Sequence, residues 1–287
     1  MYLPKHFEET RVEVLHELIH AHPLGALVTL MPGGLDANHI PFEVDPDPAP
    51  LGTLRGHVAR ANPVWRDASR DVEAMVIFQG PGTYISPSWY PTKKETAKVV
   101  PTWNYVVVHA HGPLRVIDDR EWLRAFVEKL TNRHEAGRRD PWKVTDAPAD
   151  FIDKQLGAII GIEVPLTRLI GKWKVSQNRP AADRDGAAEG LRQEGRDQAA
   201  AAMADLVRQS TSGQTLAKTR VDSDQDSKGR AMDFGVNLLT RGITGNAEGL
   251  LLDGPPGGGA GLRSRHRQRP HRRAQPHRLP LSLYADR

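Results

Sequence analysis

The chain has 287 residues, 39% of them apolar, with no cysteine and a formal net charge of +4; it is long enough for one large domain or two small ones, and disulfides, thiolate nucleophiles and cysteine metal sites are excluded. No apolar run approaches the roughly 18 residues of a membrane span, and MYLPKHFEET at the N-terminus has no apolar stretch behind its charges, so neither anchor nor signal peptide is expected and the cytoplasm is the default compartment. The basicity belongs to LRSRHRQRPHRRAQPHRL near the C-terminus, whose Arg263, Arg265, Arg267, Arg269, Arg272, Arg273 and Arg278, once set aside, leave the rest at −3, so the charge is no argument for nucleic-acid binding by the folded part.

Thr10 and Glu13 make a capping-box pattern. Val12, Val14, Leu15, Leu18 and Ile19 follow at helical spacing, up to Pro23. GALVTLM, the turn Pro32-Gly33-Gly34 and LDANHIPFEV predict a hairpin. DPDPAPLG is a loop and TLRGHV a third strand. Asn62-Pro63 is a helix start, since Asn caps well and Pro is tolerated at the first helical position. VEAMVIFQ is a fourth strand, and Gly80-Pro81-Gly82 reads as a turn into TYISPSWY. Beyond a polar loop with Lys93, Lys94 and Lys98, VVPTWNYVVVHAHGPLRVI reads as one long strand or two. DREWLRAFVEKLTNRHE predicts a helix with Trp122, Leu123, Phe126, Val127 and Leu130 on one face. PADFIDKQLGAI predicts a shorter helix, and IIGIEVPLTRLIGKW returns to strand.

Many strands joined by turns, with a few peripheral helices, predict a mainly β, α+β fold: an antiparallel barrel rather than a doubly wound sheet. From about Glu189 the sequence becomes Ala- and Gln-rich with little periodicity, and GPPGGGAG is of low complexity. The expected organisation is a domain over 1–209 and a disordered tail over 210–287.

Chemistry is suggested first by GHVARANPVW. A strand running into a helix start aims free N–H groups at one point, where a phosphate group fits. Arg60 adds a charged fork, with His57 and Asn62 beside it. A plain helix cap with a solvated arginine explains the same residues. In FQGPGTYISPSWY, Gln79 precedes glycines that let backbone approach a ligand, and Ser86 and Ser88 alternate with aromatics. In VPTWNY, Trp103 and Asn104 are adjacent, so in a strand they face opposite sides. The SQNR that follows GKWKV closes a site, bridges two copies, or simply ends a strand. His109 and His111 share a strand face but lack a third metal ligand, and His39 on the hairpin reads as packing. No nucleophile–base–acid set stands out.

Taken in order, MYLPKHFEE, GHVARANPVW, FQGPGTYISPSWY, VVPTWNY and KVSQNR resemble the PaiB family, described as FMN-binding negative transcriptional regulators. The resemblance covers about residues 1 to 205. It implies a flavin-binding split β-barrel, similar to pyridoxamine-phosphate-oxidase-like proteins, with FMN in a groove between the copies of a homodimer. It also implies that GHVARANP carries the flavin phosphate through His57, Arg60 and Asn62. Gln79, Ser86 and Ser88 would then flank the ring system, and Trp103 and Asn104 the far wall or the partner copy. An FMN-dependent oxidoreductase and a DNA-binding repressor with incidental flavin are the alternatives. DNA enters only through the arginine-rich tail, because no helix-turn-helix is recognisable.

Overall fold

The computed structural model describes residues 1–195 and 197–211, so all but the start of the expected tail lies outside them. A six-stranded antiparallel sheet has the order β1-β10-β7-β6-β2-β3, and a four-stranded one the order β4-β5-β9-β8. The strands are β1 (Glu8–Glu9), β2 (Leu24–Met31), β3 (Gly34–Pro41), β4 (Glu43–Asp45), β5 (Thr53–Ala59), β6 (Ala74–Ile85), β7 (Thr102–Gly112), β8 (Arg115–Ile117), β9 (Ile159–Pro165) and β10 (Arg168–Lys174). The helices are α1 (Val12–Ala21), α2 (Val64–Asp67), α3 (Thr92–Thr96), α4 (Arg120–Glu135), α5 (Ala149–Gly157), α6 (Ala181–Glu194) and α7 (Gln198–Thr211). The fold is the expected α+β arrangement, antiparallel strands with peripheral helices.

Strand alternation sets what each sheet buries. Leu27 of β2, Val76 and Phe78 of β6, and Val106, Val108 and Ala110 of β7 point inward. They meet Leu54 and Val58 of β5, Ile160, Ile162 and Val164 of β9, and Leu15 and Ile19 of α1 in one core. The opposite face of the four-stranded sheet is covered by α4 and α5. Asp119 caps α4 by accepting from the Trp122 amide at 3.0 Å. The Trp122 ring fills the notch at Gly161, where any Cβ would lie 2.5 Å from it. The opposite face of the six-stranded sheet is far more open: Leu24, Leu35 and Trp103 are 61%, 79% and 59% exposed.

Three local readings are corrected. The Thr10–Glu13 capping box does not form: α1 begins after Arg11 with no side-chain cap, and the Glu9 carboxylate takes the Arg11 amide at 2.9 Å. Gly80-Pro81-Gly82 is not a turn but a bulge inside the continuous β6, with the register shifting between Gln79 and Gly82. Both flanks of the bulge stay paired to β7, so the surplus residues are absorbed locally. Finally, two helices, α6 and α7, run through the region where, from about Glu189, the sequence shows little periodicity. Their buried faces use Ala187, Ala188, Leu191, Ala200, Met203, Ala204 and Val207. Alanine favours helix strongly yet contributes little to an apolar periodicity. Gly190 lets α6 lie against the Trp89 ring, 2.3 Å from where its Cβ would be.

Met203 is fully buried, so Met203→Ala is expected to cost about 2–5 kcal/mol of stability. Urea denaturation checks this; an unchanged midpoint would show that α7 is not docked on the barrel.

Candidate functional site

The strand-to-helix junction forms as expected. Asn62 Oδ1 accepts from the Val64 amide at 2.9 Å and starts α2. The Asn62 amide group donates to Asn38 Oδ1 of β3 at 2.7 Å, bridging β5 to the edge strand of the other sheet. Arg60 is fully engaged. Its two terminal nitrogens hold Asp118 at 2.9 and 2.6 Å, and it also donates to the Gly157 and Ile159 carbonyls at 3.1 and 3.2 Å. Mutual attraction lowers the Asp118 pKa and raises that of Arg60. His57 points away from the main core, under α4, its ring 5.8 Å from that of Phe126. Its Nδ1 is buried and without a partner among the described residues. Burial pushes the imidazole pKa down to about 4, so His57 is neutral at physiological pH and gives no charge to an anion.

Gln79, Trp103, Tyr105 and Tyr84 belong to a different surface, the open face of the six-stranded sheet. Register fixes this. Gln79 pairs Val107, Gly82 pairs Tyr105 and Tyr84 pairs Trp103 across β6 and β7. The Tyr84 and Trp103 rings meet edge to face, 6.5 Å between centres. At Gly82 an added Cβ would find only ordinary contacts, the nearest being Tyr105 Cβ at 3.5 Å and Gln79 Nε2 lying 3.9 Å away. The bulge therefore leaves a bare, flat patch beside the Gln79 amide. His39, His109 and His111 lie on this same face by register, and no group of three or more metal-binding side chains occurs among the described residues.

Ser86 and Ser88 lie at the end of β6. Ser86 Oγ accepts from the Ser88 amide at 3.2 Å, and Ser88 Oγ accepts from Lys93 Nζ at 3.0 Å. Asn104 faces inward, as its adjacency to Trp103 requires. It is buried and donates to Ser176 Oγ at 2.8 Å, while its Oδ1 has no partner among the described residues. Ser176 itself has a left-handed backbone, φ 67°. Arg179 then stacks 5.0 Å from the Tyr90 ring centre. The structure thus sets His57, Arg60 and Asn62 along one junction, each with its own partners, Gln79 and Trp103 on the open face, and Asn104 behind it. No hydrogen bond, ion pair or ring contact among the described residues joins the first group to the second. Sequence reasoning missed Asp118, Asn38 and the lysines of GKWKV as members of these surroundings; only the alternation of the lysines was visible.

Comparison with known proteins places these features in context. A family model described as "Putative FMN-binding domain" matches residues 1–168. An uncharacterized protein of Emericella nidulans is 34% identical over 244 residues, 73% of this chain and 97% of its own length. The protease synthase and sporulation protein PAI 2 of Bacillus subtilis is 30% identical over 197 residues, 68% of this chain and 90% of its own. Among solved structures, the FAD and heme binding protein from Mycobacterium smegmatis superposes with a TM-score of 0.43 at 18% identity, over 58% of this chain and 73% of that one.

A neutral, buried His57 has a pH consequence. Its folded pKa of about 4 lies below the ordinary 6.5, so the unfolded chain takes up a proton first as the pH falls. Stability contributed by the neutral ring is complete above about 6.5 and is lost toward about 4, by roughly 1–3 kcal/mol after discounting the ring edge that reaches solvent. Melting temperature against pH is expected to fall less steeply over this window in His57→Gln than in the parent. Equal slopes would show that the ring is not held neutral.

Proposed function

This chain belongs to the family of FMN-binding domains, and on that premise we propose that it works as a homodimer holding FMN between its two copies, in the flavin-dependent regulatory role that the PaiB resemblance implies. The observation that carries the dimer is the open sheet face. Leu24, Leu30, Leu35, Tyr84 and Trp103 are all at least 40% exposed there, and an apolar sheet face of this kind is characteristic of a protein–protein interface. A second copy laid on it would bring another strand-to-helix junction toward the patch beside Gln79.

The residues present suit such a cofactor. At the ring end, the bare backbone at Gly82 admits a planar group, Gln79 supplies an amide, and Tyr84 and Trp103 supply aromatic edges. At the phosphate end, Arg60 is held by an exposed carboxylate, and exposed ion pairs are weak in water. A phosphate group can replace Asp118 on the same fork, keeping the geometry fixed by the Gly157 and Ile159 carbonyls. Asn62 holds the junction to β3, and the partner copy excludes water. Bound FMN supplies reversible electron and hydride transfer.

A direct DNA reader finds less support. The consecutive helices α6 and α7 carry no basic stripe. Arg192 pairs with Asp205 at 2.6 Å, and Arg208 with Glu189 at 3.2 Å. We therefore place the regulatory function in the flavin and the interface rather than in an operator contact.

The test is a visible absorption spectrum after FMN loading and desalting. The parent is expected to keep a flavin band. Arg60→Ala is expected to weaken FMN by about ten- to a hundredfold, the worth of roughly 1.5–3 kcal/mol in charge-assisted hydrogen bonds. Asp118→Asn, which removes the competing charge, should bind FMN at least as tightly as the parent. Full retention by Arg60→Ala would reduce Arg60 to a brace for its carbonyls. Trp103→Asp is expected to give monomers by sedimentation and to lose the band; a dimeric Trp103→Asp protein would move the interface elsewhere.

A further inference from the structure

Lys172 and Lys174 form a corner of the open face that the flavin reading leaves unused. Both project from β10 on the side of Gln79 and Trp103, since Lys172 pairs Val107 and Lys174 pairs Tyr105. Lys172 is only 7% exposed. Its Nζ donates to the Tyr2 carbonyl at 3.1 Å and lies 5.3 Å from the centre of the Tyr105 ring and 5.8 Å from that of Tyr2. No carboxylate pairs with it among the described residues; Glu8 stands opposite it in the β1 register but makes no ion pair with it. A buried charge without an acid is costly. Two π faces and one carbonyl compensate only in part.

Lys174 is in the same position. It donates to Thr102 Oγ1 and, at 2.6 Å, to the Trp103 carbonyl, again with no acid among the described residues. Burial, and then the charges of Lys172 and Arg179, lower its hold on its proton. Three positive groups therefore crowd one end of β10. The walls are aromatic: Tyr2, Tyr105 and the largely exposed Trp103. Segments from the N-terminus, from β7 and from β10, far apart in sequence, meet here. The corner lies two strands from Gln79 and Gly82, about 10 Å at ordinary strand spacing.

We propose that this corner binds a planar, negatively charged small molecule, an aromatic carboxylate or phosphate, as a second ligand beside the flavin. The lysines select the anion and the rings select its planarity. Lys172, closed in under Tyr2, admits a small anion more readily than a macromolecule. The inference rests on the flavin reading of the same face.

The experiment is calorimetric titration of the FMN-loaded full-length protein with 2-naphthoate and, separately, with neutral 2-naphthamide. Naphthoate is expected to bind at least about tenfold more tightly than the amide and to weaken with added salt. Lys174→Gln and Lys172→Met should each lose at least about tenfold in naphthoate affinity while keeping FMN. Lys174→Arg, which retains the charge, should keep most of both. Equal binding of naphthoate and naphthamide, no binding by the parent, or naphthoate affinity unchanged in both lysine variants would overturn the proposal. Loss of FMN itself from a folded Lys174→Gln would also overturn it, by assigning the lysines to the flavin. Should the parent take up no FMN, the flavin reading fails by itself. The same titrations on the flavin-free chain then decide the lysine corner, with naphthoate selectivity supporting it and its absence overturning it.

Discussion

A sheet has two faces, and among the described residues helices pack on the outer face of only one of the two sheets. The four-stranded sheet has the shared core on one side and α4 and α5 on the other, with Trp122 seated at Gly161. The six-stranded sheet has the same core inside, but on its outer face Leu24, Leu30, Leu35, Tyr84 and Trp103 are exposed. Burial of apolar area is the main favourable term in association. An uncovered apolar sheet is therefore the feature on which the proposed dimer, the proposed cofactor position and the proposed second ligand corner all rest.

The polar residues are arranged around that asymmetry. On the covered sheet, the junction after β5 is rigid: Arg60 is tied to Asp118 and two carbonyls, and Asn62 is tied to Asn38. On the uncovered sheet, the polar groups are less committed. Gln79 is exposed, Gly82 is bare and the β10 lysines have no acidic partner among the described residues. A rigid anchor and an open, aromatic-rimmed face complement each other when two copies meet, because neither surface supplies both a phosphate fork and a ring platform. Behind Trp103, the buried Asn104–Ser176 bond ties the end of β7 to the turn after β10, fixing the wall from the inside.

Much of this was legible in the residues. Ala74, Val76 and Phe78 alternate inward along VEAMVIF, and Leu123, Phe126 and Leu130 line one face of α4; period alone gave both elements. The junction at Asn62-Pro63 was legible because the cap is local. What failed was anything decided by a distant partner. Gly80-Pro81-Gly82 reads as a turn until β7 is seen to pair on both sides of it. The acid that holds Arg60 is 58 residues away, and the carbonyl that closes over Lys172 is 170 residues away. The helices α6 and α7 escaped for another reason: alanine carries helix propensity without the apolar contrast that makes a face visible.

The most direct test of the central claim, that one flavin touches two chains, is subunit mixing. Arg60→Ala and Gln79→Ala proteins are each prepared without flavin, mixed under conditions that exchange subunits, and titrated with FMN by fluorescence quenching. A shared site predicts that part of the mixture binds FMN about as tightly as the parent although each variant alone binds it more weakly, because each mixed dimer keeps one intact junction facing one intact ring platform. If mixing restores nothing while each variant remains dimeric, the flavin is held within a single chain and the account is wrong.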